Sequence, residues 1–122
     1  MNKKKGLLES EISKTLTQWE KEYLGRGSVQ VKTDILRNLL IIQLQGILTP
    51  AEQALTQSET GMLAVKRNRS ELIETGSADL KKIIHEITGV EARCFHTDIS
   101  TRSGERIIVF TLAEDLEAKL DN

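Results

Sequence analysis

The stretch Arg93–Leu112, RCFHTDISTRSGERIIVFTL, sets a cysteine, a histidine and an aspartate at every second residue: Cys94, His96 and Asp98. A thiolate, an imidazole and a carboxylate are the groups from which metal sites and Cys–His nucleophilic pairs are built. On a strand, residues at i and i+2 share a face, so all three point the same way. The outer two then stand about 13 Å apart at a rise of ~3.3 Å per residue, too far for one ion on a straight strand. His96 and Asp98 are near enough to share an ion, but a catalytic zinc takes three protein ligands. The other histidine, His85, falls in a helical segment. The favoured reading is the polar face of a β-hairpin, with no metal and no cofactor. The alternative is a small metal-binding module or enzyme using His96 and Asp98, with Cys94 beside them.

Two arginines offer a different chemistry. Arg26 stands between two glycines in GRG, where a tight turn exposes its guanidinium to a carboxylate or a small anion. The loop matches neither phosphate-binding glycine motif and feeds a strand, whereas phosphate cradles feed a helix N-terminus. Arg69 lies eighteen residues, five helical turns, beyond Ala51, in the middle of an apolar stripe. An arginine there either snorkels out of the core edge or meets a buried acid. Asp34 and Asp98 are the acids expected to answer it. Arg26, Arg69, His96 and Asp98 are therefore the candidate ligand- or partner-binding residues; no catalytic motif is found.

The elements that must position these groups read as follows. Residues 7–24 place Leu8, Ile12, Leu16, Trp19 and Tyr23 at helical spacing, and Gly25–Gly27 stops the helix. Val29 and Val31 alternate with polar residues as in a half-buried strand, DILRN reads as a turn, and LLIIQLQGIL is the second strand. Leu39 to Ile42 are apolar on both faces, so this strand is central or meets a second molecule. Thr49, Pro50 and Glu52 form a helix start with a capping box. Ala51, Ala54, Leu55, Met62, Val65, Leu72 and Ile73 keep one face for about 25 residues, which predicts one helix bent at Gly61. Ser77 is expected to cap a helix carrying Leu80, Ile83, Ile84 and Ile87. Strands follow from Val90 to Ile99 and from Ile107 to Leu112, the last with both faces covered. EYLGRGSVQVKTD and EITGVEARCFHTD echo one another at matching places in the two halves.

The fold expected is α+β, in the order α-β-β-α-α-β-β. It is a two-layer arrangement: a four-stranded antiparallel sheet with helices on one face. One domain spans residues 1–122, with 1–6 expected as a disordered tail. Aromatics are only 3% of the chain, so the core is aliphatic and a base-stacking surface is excluded. With 17 basic and 18 acidic residues, net charge −1, no nucleic acid is expected as a partner. No apolar run spans or inserts into a membrane, and a single cysteine with no export signal points to the cytoplasm.

With these segments in view, the chain resembles the MpsC-like family of bacterial proteins. The likeness is carried by GRGSVQVKTDILRNLLIIQLQGILTPAEQAL, GMLAVKRNRSELIE, HEITGV and HTDISTRSGERIIVFTL. Ser28 departs from the family's Gly-Arg-Gly-Pro element, a change expected to loosen the approach to the first strand. The resemblance implies a link to a sodium-translocating, membrane-potential-generating system connected with bicarbonate uptake, and it carries over no catalytic residue. The reading reached is a non-enzymatic, soluble accessory or regulatory protein, a homodimer, that binds a partner such as a membrane transport protein or a small anion.

Overall fold

A computed structural model of the protein describes residues 4–120. The chain runs α1 (Lys5–Leu24), β1 (Gln30–Leu36), β2 (Leu39–Gln45), α2 (Pro50–Leu55), α3 (Glu59–Thr75), α4 (Ser77–Thr88), β3 (Ala92–Ser100) and β4 (Glu105–Leu112), then a short 3₁₀ turn at Glu117–Lys119. The α+β class and the expected order hold, with the middle helix divided in two. All four strands form one antiparallel sheet in the order β1-β2-β4-β3. The two hairpins therefore meet through their second strands, which makes β2 central, as its doubly apolar sequence requires.

Each half begins with a helix stopped by a left-handed glycine, Gly25 at φ 88° and Gly89 at φ 74°. That conformation costs a residue with a Cβ far more than glycine. The repeated glycine is the physical content of the sequence echo. Helices α1 and α4 lie on the same side of the sheet. Their Leu8, Ile12, Leu16, Leu80 and Ile84 pack on Leu40, Ile42, Ile108, Phe110 and Leu112, all almost fully buried.

Several boundaries differ from the sequence expectation. Helix α1 starts at Lys5, so Lys5 and Gly6 are not tail, while residues 1–3 lie outside the described residues. DILRN is not a turn: β1 continues to Leu36 and only Arg37 and Asn38 make the bend. The expected long helix breaks after Leu55, because Ser58 caps a new helix by accepting from the Gly61 amide. The α2 carbonyls then lie so close that a Cβ on Gly61 would sit 2.0 Å from the Leu55 oxygen. Gly61 thus marks a close approach of two helices rather than a bend within one. Helix α2 buries none of its residues, so Ala51, Ala54 and Leu55 are not core. Ser77 is the first residue of α4 and makes no side-chain cap; Gly76 precedes it.

Candidate functional site

The expected acids do not answer Arg69; Glu52 does. The Arg69 Nε donates to Glu52 Oε2 at 2.8 Å, Nη2 reaches Oε1 at 2.5 Å, and Nη2 also donates to the Ile47 carbonyl at 2.8 Å. Glu52 is the capping-box residue of α2, and its Oε1 also accepts from the Thr49 amide at 2.9 Å. The hydrogen bond from Arg69 and the amide at Thr49 hold the Glu52 carboxyl below the usual carboxylate range. Sequence reading credited Glu52 with the cap alone. The break at Ser58 folds α3 back so that Arg69 comes down on that cap.

Arg26 donates to the carbonyls of Gly46 at 3.2 Å and Leu48 at 3.4 Å. Its guanidinium ties the end of β2 to the α1–β1 turn. Both arginines are thus engaged with the chain itself. Beside Arg69 lies a third, Arg106, which sequence reading folded into an apolar strand. Only 4% exposed, it donates to Thr97 Oγ1 at 2.8 Å and to the Arg69 carbonyl at 3.2 Å. Burial, and then the neighbouring Arg69 charge, lower its pKa to about 10, so it remains charged at neutral pH. Alternation along β4 was the available signal: Arg106 shares a face with Ile108, Phe110 and Leu112.

Glu20 completes this interior set. It continues the Leu8-Ile12-Leu16 stripe of α1 and is buried. Its two oxygens accept from Ser28, Oε1 from the amide at 3.0 Å and Oε2 from the hydroxyl at 2.7 Å. Ser28 therefore fastens the approach to β1 to the core, the reverse of the expected loosening. Glu20, Arg69 and Arg106 line a small cavity of about 10 Å³, room for one water-sized molecule and no larger ligand.

Cys94, His96 and Asp98 do share one face of β3, and that face is the one the helices leave uncovered. Strand register arranges it in four rows. Gln30, Gln45, Glu105 and Ser100 form the first row; Lys32, Gln43, Ile107 and Asp98 the second. Asp34, Ile41, Val109 and His96 form the third; Leu36, Leu39, Thr111 and Cys94 the fourth. An irregularity between Ala92 and Cys94 brings Cys94 into that last row. Expectation had β4 covered on both sides, but Ile107 and Val109 are only half-buried, on the face opposite α1 and α4. On the middle strands the face carries Leu39, Ile41, Ile107 and Val109 beside Gln43, Gln45, Glu105 and Thr111, while the outer strands carry Lys32, Asp34, His96 and Asp98. Asp98 lies at the rim, where its Oδ1 accepts from the Ile99 amide at 2.8 Å and meets Lys66 at 3.5 Å. Among the described residues no three His, Cys, Asp or Glu side chains come together as metal ligands. A second, polar groove of about 450 Å³ wraps the β1 edge of this face between Glu9, Ser13, Lys32 and Asp34.

No helix among the described residues is long and apolar enough to cross a membrane. The chain is similar to the uncharacterized protein YbcI of Bacillus subtilis (strain 168), at 60% identity over 121 residues, 99% of this chain and 98% of that protein. No solved structure matches it. Residues 4–114, which span both hairpins, the interior charges and the open face, match the family model described as "Na+-translocating membrane potential-generating system (MpsC)", and the protein belongs to that family.

Proposed function

We propose that this protein is a non-catalytic accessory or regulatory subunit that works by protein–protein contact, in the cytoplasm, for a sodium-dependent membrane-potential system of the kind its family description names. The observation that carries this reading is how the polar groups are used. Arg69 is spent on Glu52, Arg26 on backbone carbonyls and Glu20 on Ser28, whereas Ile41, Ile107 and Val109 are left half-buried at the centre of the sheet. Contiguous apolar surface rimmed by charge is the form that protein contact sites take. An anion binding at Arg69 would have to displace a bidentate carboxylate, so protein binding is favoured over the small-anion reading.

Genetic complementation tests this. In a strain lacking the chain, sodium-dependent membrane potential is measured with a voltage-sensitive dye after supplying wild type or Val109→Glu. Wild type restores the potential and Val109→Glu does not, although it accumulates to the same level. Full restoration by Val109→Glu, or no dependence of the potential on the wild-type chain, rejects the reading.

A further inference from the structure

We propose that the open sheet face is covered by a second copy of this chain, packed face to face about a twofold axis parallel to the strands. The proposal rests on the reading of this face as a protein contact and names its occupant. Unlike polar groups alternate across the outer strands of the face. In the second row β1 carries Lys32 and β3 carries Asp98; in the third β1 carries Asp34 and β3 carries His96. A twofold axis along the strands, between β2 and β4, lays β1 of each copy over β3 of the other and keeps every row on itself. Lys32 then faces Asp98 of the second copy, and Asp34 faces His96. Opposed charges across such an interface fix its register and favour association.

The other in-plane axis, perpendicular to the strands, also sets unlike groups together, by placing Lys32 over Asp34 and Asp98 over His96. The gradient along the strands decides between the two. The third row is apolar at its centre, at Ile41 and Val109, and the fourth carries Leu36 and Leu39, while the first is polar throughout. The axis parallel to the strands stacks the fourth row on itself, whereas the perpendicular axis lays it on the polar first row, with Leu36 over Gln30 and Leu39 over Gln45. Face-to-face sheets pack within about 30° of alignment, which preserves this matching near the centre and shifts it at the rim. Asp98 is free for such a contact. Its side chain is 80% exposed, and both of its contacts within the chain use Oδ1, leaving Oδ2 to a lysine across the interface.

Sedimentation equilibrium of the purified full chain at micromolar concentration tests the arrangement. Wild type sediments at twice its 13.7 kDa chain mass. Lys32→Asp and Asp98→Lys each weaken the dimer about tenfold, because symmetry applies each reversal twice. The double variant, Lys32→Asp with Asp98→Lys, restores association to within about threefold of wild type. Both positions are exposed, and unchanged circular dichroism and thermal midpoint certify the fold of each variant. A monomeric wild type overturns the proposal, and so does a double variant as weak as the singles, the result expected of the perpendicular axis. A monomeric wild type alongside failed complementation by Val109→Glu would reject the second copy and leave the accessory reading standing. A dimer with normal complementation would do the reverse.

Discussion

Arg69 and Glu52 stand seventeen residues apart on two helices, yet the arginine grips both carboxylate oxygens of a residue that is already capping its own helix. One carboxylate thereby holds the start of α2, the middle of α3 and, through the third bond of Arg69, the Ile47 carbonyl after β2. The pair is mostly buried, with side-chain exposures of 11% and 18%. Removing one partner strands the other, which costs more than the pair contributes. Glu52→Ala is expected to destabilise by about 3 kcal/mol, and Arg69→Lys by about 1–2 kcal/mol through loss of the planar fork. Urea denaturation of each variant measures this; changes under 0.5 kcal/mol would show that the pair is solvated.

The same carboxylate makes stability depend on acid. Its pKa is lowered in the folded chain, chiefly by the hydrogen bond from Arg69. A depressed carboxylate contributes stability that is present above its unfolded value and is lost as pH falls through the folded one. From about pH 5 toward pH 3, wild type should lose stability more steeply than Glu52→Gln, which keeps a hydrogen-bonding side chain and does not titrate. Chemical denaturation at stepped pH checks it, and parallel curves would contradict it.

Ser28 donates twice to a buried carboxylate, so proline at this position is expected to harm this chain despite the family's Gly-Arg-Gly-Pro pattern. Ser28→Ala removes only the hydroxyl bond and should cost about 1 kcal/mol. Ser28→Pro removes the amide donor as well and should cost about 3 kcal/mol. Equal stability of Ser28→Pro and wild type would mean that Glu20 finds other donors.

Gly61→Ala sets helix propensity against space. Alanine is favoured over glycine within a helix by about 1 kcal/mol. Here its Cβ would meet the Leu55 carbonyl oxygen at 2.0 Å, a backbone atom that cannot turn aside. Overpacking should win, with a net loss of about 2 kcal/mol. A raised thermal midpoint would show instead that α2 moves freely on α3.

Arg106 is a buried cation with no ion pair to a carboxylate among the described residues, and burial is the first cause of its lowered pKa. A long apolar side chain sheds the desolvation cost but gives up the bonds to Thr97 and the Arg69 carbonyl. Arg106→Met is expected within about 1 kcal/mol of wild type, and Arg106→Ala about 3 kcal/mol below it, since alanine also leaves a void. Calorimetric melting of the two variants compares them directly.

Local signals were enough for most of the elements. The spacing of Leu8, Ile12 and Leu16, the Thr49-Pro50-Glu52 start and the two helix-ending glycines are each read within a few residues. Period and backbone preference act over that range. They gave the α+β class, the order and the central place of β2. They also placed Cys94, His96 and Asp98 on one face and showed that strand rise spreads them too far for one centre.

Which charges meet, and which face stays open, lay beyond local reading. Asp34 and Asp98 were plausible partners for Arg69 by type alone, and Glu52 was already explained by its cap. Only the break at Ser58, with Gly61 allowing the close approach, turns α3 so that Arg69 reaches Glu52. Arg106 and Glu20 stand in line with apolar stripes, and only the fold brings Thr97 and Ser28 beside them. The apolar residues of β2 and β4 recorded burial without saying against what. The sequence by itself determined the period of each main element and most of the apolar residues of α1, β2, α4 and β4 that avoid water. Tertiary structure decided which of them the helices cover, because covering depends on contacts between segments that the chain brings together only by folding.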